Sequence, residues 1–110
     1  MEYAGQYTVT ARAHTRPYAK LCTLNEEITR LYPGAHITIR EADTMTGCDS
    51  ILNLMFSQIG TRLGTEIEVV VRGEYDYRTL EGIADRVGAV FAQKDVLAEQ
   101  TGMMLGIRRK

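Results

Sequence analysis

Apolar and polar residues alternate in four stretches of the chain, the pattern of strands that are buried on one side. The clearest stretch is Glu66 to Arg72, and the weakest is Thr44 to Cys48. The other two are Gln6 to Ala11 and His36 to Arg40. The side chains predicted to face the core are Tyr7, Val9, Ala11, Ile37, Ile39, Ile67, Val69 and Val71.

Three further stretches have apolar residues at helical spacing. One begins near Pro17 and stops at Tyr32-Pro33-Gly34, because proline cannot continue a helix. A short helix is predicted over Ile51 to Ser57, capped by Asp49 or Ser50. Asp76 is the predicted cap of the last helix. The predicted buried stripes of the two long helices are Tyr18, Leu21, Cys22, Leu24, Ile28 and Leu31, and Leu80, Ile83, Ala84, Val87, Val90 and Phe91.

The predicted order is βαββαβα, which gives a two-layer α+β sandwich with an antiparallel sheet and the helices on one face. The length of 110 residues suits one domain, so we assign residues 1–110 to a single domain. A formal net charge of -1 gives no electrostatic signature of a nucleic-acid or membrane ligand. The chain has no apolar run of membrane-spanning length and no signal-peptide pattern at its start. With two cysteines and no disulfide framework, we expect a cytoplasmic protein without membrane insertion.

The most informative chemistry lies at the predicted start of the first helix. Proline is favoured in a first helical turn, so Pro17 places His14 and Arg16 at or just before a helix N-terminus. The positive end of the helix dipole disfavours imidazolium and keeps a histidine neutral. A neutral imidazole beside a guanidinium is suited to accepting a phosphoryl group. The residues alone favour the alternative of a surface histidine on a loop, since a single histidine is a weak signal.

His14-Thr15-Arg16-Pro17, after a strand and at the opening of a helix, resembles the phosphorylation site of HPr, the histidine-containing phosphocarrier of the bacterial phosphotransferase system. The segment from Ser50 to Met55 is similar to the one that carries the regulatory serine of HPr. The resemblance runs from about residue 6 to residue 91. It implies an HPr-like open-faced sandwich, with a four-stranded antiparallel sheet covered on one face by three helices. Residues 92–110 would then be a C-terminal extension.

The resemblance to HPr also implies a function. His14 would accept a phosphoryl group that originates from phosphoenolpyruvate, through Enzyme I, and would pass it to Enzyme II A domains. Arg16 would pair with the phosphate, and Pro17 would fix the helix start. No cofactor is implied. An apolar patch near the histidine would bind these partners, with Thr15, Tyr18, Leu52, Met55 and Phe56 as candidates that are also compatible with core positions.

Several residues depart from the HPr pattern. Arg12 replaces a usual glycine, Ala13 a larger aliphatic residue, and Tyr18 a small one, changes that would alter partner docking. Ser50 corresponds to the serine modified by HPr kinase/phosphorylase and is also a good helix cap. Its neighbour Asp49 would repel a phosphoserine.

Other chemistry is weakly indicated. His14, His36, Cys22 and Cys48 do not have the spacing of a metal motif, so no metal site is predicted. Three functions are considered: a divergent HPr-like phosphocarrier, an HPr-fold regulatory module that binds a protein without carrying phosphoryl flux, and a small nucleic-acid binder. Exposed acidic residues expected on the sheet argue against the third. The sequence favours the phosphocarrier.

Overall fold

A computed structural model describes the backbone of residues 1–10 and 15–104, and the side chains of residues 1–10 and 17–91. Seven elements follow one another in the order βαββαβα. They are β1 (Glu2–Thr8), α1 (Thr15–Leu31), β2 (His36–Glu41), β3 (Thr44–Gly47), α2 (Ile51–Ser57), β4 (Glu66–Arg72) and α3 (Tyr77–Met104).

The four strands form one antiparallel sheet in the order β1-β4-β2-β3. β4 lies in the middle, paired with β1 on one side and with β2 on the other. One face of the sheet is buried beneath the helices, whereas the other face is polar and largely exposed. The predicted open-faced α+β sandwich is therefore confirmed.

The core lies between the sheet and the helices. Inward-facing residues of neighbouring strands are in register, so that Gly5, Val69 and Ile39 lie side by side across the sheet. The apolar stripes of α1 and α3 cover them, as the helical spacing predicts. The largest fully buried side chains are Phe91, Leu21, Ile28, Ile39, Leu54, Ile59, Ile67, Leu80, Val9, Val69 and Val71.

The exposed face of the sheet carries cross-strand polar pairs. Glu68 on the central strand accepts a hydrogen bond from Gln6 Nε2 at 3.1 Å and forms an ion pair with Arg40 Nη2 at 2.8 Å. Arg72 and Glu2 form a second ion pair, at 3.5 Å. His36 lies on this face and is exposed, as predicted.

The predicted bounds of β1 are wrong at both ends. Strand β1 starts at Glu2, four residues before the predicted start, and ends at Thr8. Tyr3, Gly5 and Tyr7 all face the helices, and glycine at the middle position hid the alternation. Ala11, predicted to close the strand, lies outside the described residues.

The prediction that Leu31 belongs to the buried stripe of α1 is also wrong. Leu31 is 58% exposed because it is the last residue of α1, where the chain turns through Tyr32 and Pro33 towards β2. The remaining residues of the stripe are buried or partly buried.

The described helices include none that is long and apolar enough to cross a membrane.

Asp76 caps α3 as predicted, because its Oδ1 accepts a hydrogen bond from the Thr79 backbone N–H at 2.8 Å. Hydrogen bonds from the Thr79 side chain and backbone lower the pKa of Asp76 below its ordinary value of 3.8, with a smaller contribution from Arg78. A carboxylate whose pKa is lower in the folded than in the unfolded protein stabilises the fold at pH values above its pKa in the unfolded protein. That contribution is lost as the pH falls through the folded pKa.

We therefore expect the cap to weaken in acid. Asparagine can also cap a helix but does not titrate, so Asp76→Asn isolates the contribution of the charge. The difference in free energy of unfolding between the wild type and Asp76→Asn should shrink as the pH falls below about 4. Urea unfolding at several pH values measures this difference. A difference that stays constant down to about pH 2.5 would contradict the assignment of the shift to Asp76.

Candidate functional site

The end of β1 is held from both sides just before the segment that contains His14. The Val9 N–H donates a hydrogen bond of 2.8 Å to the Thr65 carbonyl, and the Val9 carbonyl accepts one of 2.8 Å from the Gly64 N–H. Thr10 donates both its N–H, at 2.9 Å, and its Oγ1, at 3.2 Å, to the carbonyl of Phe91. At the point where the chain leaves the sheet, it is therefore hydrogen-bonded both to the residues just before β4 and to α3.

On the far side of this segment the chain enters α1 at Thr15. Pro17 lies in the first turn of α1, as predicted. The first backbone N–H groups of a helix have no partners within the helix, so this end attracts anions. His14, Arg12 and Ala13 lie outside the described residues, as do the side chains of Thr15 and Arg16. Their roles stay predictions.

Tyr18 belongs to the core and not to a docking surface. Its side chain is 3% exposed, and its hydroxyl donates a hydrogen bond of 2.7 Å to the carbonyl of Ile59. Burial, together with the nearby charge of Glu41, raises the pKa of the Tyr18 phenol. The prediction that Tyr18 contributes to partner binding is therefore wrong, and the core alternative is correct. Its ring joins the first turns of α1 to the loop after α2.

Removing this hydroxyl should destabilise the protein. In Tyr18→Phe the buried carbonyl of Ile59 loses its side-chain donor, which we expect to lower the free energy of unfolding by about 1–2 kcal/mol. Tyr75→Phe is the matched control, because Tyr75 donates at 2.6 Å to the carbonyl of Pro33, an exposed residue whose carbonyl water can satisfy instead. Equal losses in the two variants, measured by urea unfolding, would contradict this account of Tyr18.

The loop after α2 is also held by Glu41, which comes directly after the alternating stretch His36 to Arg40. Glu41 is the last residue of β2, and its Oε1 accepts a hydrogen bond from Gly60 N–H at 3.0 Å. Its Oε2 lies 3.6 Å from Arg62 Nη2. No local pattern marks Glu41, because its partners are about twenty residues away along the chain.

Ser50 is the N-cap of α2. Its Oγ accepts a hydrogen bond from Asn53 N–H at 3.3 Å, which confirms the serine alternative for the predicted cap. This geometry accounts for a serine at the position without any modification. Phosphorylation of Ser50 by an HPr kinase/phosphorylase stays a prediction.

Helix α2 presents an apolar surface to solvent. Leu52, Met55 and Phe56 are 62%, 44% and 83% exposed, and we call these three residues the α2 patch. Leu54, between them in sequence, is fully buried. α2 contacts α1 and β3. An exposed apolar cluster of this kind is typical of a protein-binding surface. Of the predicted docking residues whose side chains are described, these three are accessible.

The described residues include no group of three or more histidine, cysteine, aspartate or glutamate side chains that could hold a metal ion. Cys22 and Cys48 are both free thiols. Burial raises the pKa of the Cys48 thiol to about 12, with smaller effects from Cys22 and Asp49, so Cys48 is protonated near neutral pH. A thiol in this state is unreactive as a nucleophile.

Comparison with solved structures identifies the fold. The chain is similar to the phosphocarrier protein HPr from Bacillus anthracis, with a TM-score of 0.62 and 20% identity, covering 82% of this chain and 96% of that one. It is equally similar to the histidine-containing phosphocarrier protein of Mycoplasma, with a TM-score of 0.62, 20% identity and coverages of 83% and 99%.

A third match is HPr-C-His from Thermoanaerobacter tengcongensis, with a TM-score of 0.55, 15% identity and coverages of 83% and 94%. No family model matches the sequence, and no curated protein matches it. At 15–20% identity, these structures show that the chain has the HPr fold.

Proposed function

We propose that the chain is a cytoplasmic phosphocarrier that uses His14 as its phosphoryl acceptor. It would receive the phosphoryl group from Enzyme I, which takes it from phosphoenolpyruvate, and would pass it to Enzyme II A domains in sugar uptake or its regulation. The observation that carries the proposal is the HPr fold with a His-Thr-Arg-Pro sequence between the end of β1 and the first turn of α1.

The proposed chemistry is a phosphoryl transfer from phosphorylated Enzyme I to the imidazole of His14. A ring nitrogen of neutral His14 attacks the phosphorus as the bond from the phosphorus to its leaving atom on the donor breaks. Arg16 balances the charge of the phosphoryl oxygens, and the free N–H groups at the start of α1 offer further donors. Little covalent work is required of the carrier, because positioning and charge supply most of the rate enhancement.

The described residues support this assignment through the rigidity of both flanks. The hydrogen bonds of Thr10 to Phe91 fix the chain before the histidine, and the bond of Tyr18 to Ile59 fixes the helix after it. The α2 patch supplies an accessible apolar surface on a helix that contacts α1. A carrier that must present one imidazole to several proteins benefits from such an arrangement.

The test is transfer of label from phosphoenolpyruvate through Enzyme I of the same source. Wild type should acquire an acid-labile, base-stable adduct that mass spectrometry locates on His14, and His14→Ala should acquire none. His36→Ala is the control, because His36 is exposed on the opposite face of the sheet and should label as wild type does. A folded wild type that takes no label would contradict the carrier and favour an HPr-fold protein-binding module.

A further inference from the structure

Strand β1 forms an open edge of the sheet. It pairs with β4 on one side, and the Gly73 N–H donates to the Met1 carbonyl at 3.0 Å, so Met1 and every second residue after it are hydrogen-bonded to β4. The N–H and C=O groups of the residues in between therefore point away from β4. These residues are Glu2, Ala4, Gln6 and Thr8, and we call them the β1 edge. All four are exposed, and none of the described strands pairs with them on that side.

The β1 edge lacks the features that usually protect an edge strand. Proline, lysine and β-bulges hinder the addition of another strand. From Glu2 to Thr8 the strand contains neither proline nor lysine, and its register with β4 is uninterrupted. The next outward N–H is that of Thr10, which donates to the Phe91 carbonyl of α3 at 2.9 Å. The open length is therefore about 20 Å, enough for about seven residues of an extended peptide.

One flank of α3 borders the β1 edge on the helical side of the sheet. The ring of Tyr77 contacts that of Tyr3, with centroids 5.0 Å apart, and Asp85 Oδ1 accepts the 2.7 Å hydrogen bond from the Tyr7 hydroxyl. Tyr77, Glu81 and Asp85 follow one another at intervals of four residues and so share this face of the helix. A strand that joined the β1 edge would present every second side chain to this flank.

The flank is acidic. Asp85 is exposed and Glu81 is half-buried, and neither forms an ion pair with another residue whose side chain is described. The nearest cations along α3 are directed elsewhere, because Arg86 pairs with a glutamate of α1 at 3.4 Å and the charge of Arg78 acts on Asp76. Two carboxylates beside tyrosine rings favour lysine or arginine side chains, through ion pairs and through contact with the rings.

A second copy of this chain fits the β1 edge poorly. Antiparallel pairing of two identical strands places the helices of both copies on the same side of the joined sheet. The two acidic flanks would then face each other, with the carboxylates of Glu81 and Asp85 from each copy. Like charges in this arrangement repel. The charges therefore favour a different protein with basic residues at alternate positions.

We propose that the β1 edge binds an extended basic segment of another protein, which joins the sheet as a further strand and presents lysine or arginine side chains to Glu81 and Asp85. Main-chain hydrogen bonds to the four residues of the β1 edge hold the segment, and the acidic flank selects its charge. This role is independent of the proposed phosphocarrier function, because it uses the edge of the sheet and no residue of the segment that contains His14.

The experiment uses two nine-residue peptides with blocked ends, one with lysine and one with glutamate at every second position, and threonine or valine elsewhere. Amide hydrogen exchange of the full chain, followed by NMR, detects binding residue by residue. At saturation the lysine peptide should slow exchange of the outward amides of the β1 edge by about ten-fold. The amides of Tyr3, Gly5 and Tyr7, which are already bonded to β4, should change little. The glutamate peptide should leave all of them unchanged.

Two sets of variants test the contacts. Ala4→Pro removes one outward N–H but no hydrogen bond to β4, and should abolish the protection, whereas Ala4→Thr keeps the N–H and should bind as the wild type does. Glu81→Gln/Asp85→Asn should weaken binding of the lysine peptide by about ten-fold. Glu26→Gln/Asp43→Asn is the matched control, because it changes the net charge equally on α1 and in the turn after β2, and should bind as the wild type does. Thermal unfolding verifies that each variant is folded, and if Ala4→Pro is not, the carboxylate variants decide.

Three outcomes would overturn the proposal. If the lysine peptide at about 1 mM does not protect the amides of the β1 edge in the folded wild type, the edge does not accept a strand. Equal binding of the lysine and glutamate peptides would show that the acidic flank does not select the partner. Protection of the same amides in the protein alone, increasing with its concentration, would make a second copy of this chain the occupant.

Discussion

Replacing Leu54 with alanine should lower the free energy of unfolding by about 3 kcal/mol. Leu54 is fully buried and is the one buried residue of α2. Its removal leaves a cavity between α2 and the elements it contacts, α1 and β3. Because a helix of seven residues is marginal by itself, α2 depends on this anchor for its position.

Leu52→Ala provides the matched control. It makes the same chemical change two residues away in the same helix, but Leu52 is largely exposed, and we expect a change within about 0.5 kcal/mol. Urea unfolding of the two variants gives both values. Leu54→Ala should also loosen α2 and expose the apolar core beneath it, which a fluorescent apolar dye would detect as increased binding. Similar losses of stability in the two variants would contradict the role of Leu54 as the anchor.

The second large effect is expected at Gly88, where α3 approaches Tyr7 of β1 closely. A Cβ atom at Gly88 would lie 2.5 Å from Cδ1 and Cε1 of Tyr7, far inside contact distance. Tyr7 is held in place by a 2.7 Å hydrogen bond from its hydroxyl to Asp85 Oδ1. Burial and this bond raise the pKa of Tyr7. In Gly88→Ala the ring or the helix must move.

We expect Gly88→Ala to destabilise the protein by about 2–3 kcal/mol, although alanine is the better helix former. Gly82→Ala, on the same helix, is the control. Gly82 is exposed and a Cβ there meets nothing within 4 Å, so alanine should stabilise by about 0.5–1 kcal/mol. Changes of opposite sign in the free energy of unfolding of the two variants, measured by thermal or urea unfolding, would confirm the close approach. Stabilisation by both substitutions would show that Tyr7 does not pack against Gly88.

The sequence predicts some parts of the fold better than others. It predicts well the elements whose apolar residues recur at a regular short spacing, such as β4, β2, α2 and the buried stripe of α3 as far as Phe91. The start of β1 is not predicted, because Gly5 interrupts the apolar alternation. A Cβ at Gly5 would lie 2.9 Å from both the Tyr3 ring and the Tyr7 hydroxyl. The two tyrosines are held over Gly5 by contacts with Tyr77 and Asp85 of α3, and these partners lie far from β1 along the chain.

The residues of the candidate site also differ in whether neighbouring or distant residues determine them. The cap at Ser50 depends on neighbouring residues, and the sequence predicted it as one of two alternatives. The motif at His14 is also local, and its role stays a prediction. The burial of Tyr18 depends on Ile59, and the role of Glu41 depends on Gly60, so neither is visible in a neighbouring stretch of chain. The three apolar residues of α2 were predicted as either core or surface, and only the packed structure distinguishes these alternatives.

The pairing of β1 determines when the site can assemble during synthesis. Among the described strands, β1 is hydrogen-bonded only to β4, with Glu2 opposite Arg72 and Thr8 opposite Glu66. A nascent chain therefore cannot complete this edge until β4 has left the ribosome, and the Thr10 anchor must wait longer for Phe91. Contacts this distant in sequence form slowly. The protein should become competent for partners only after nearly all of its core has been translated.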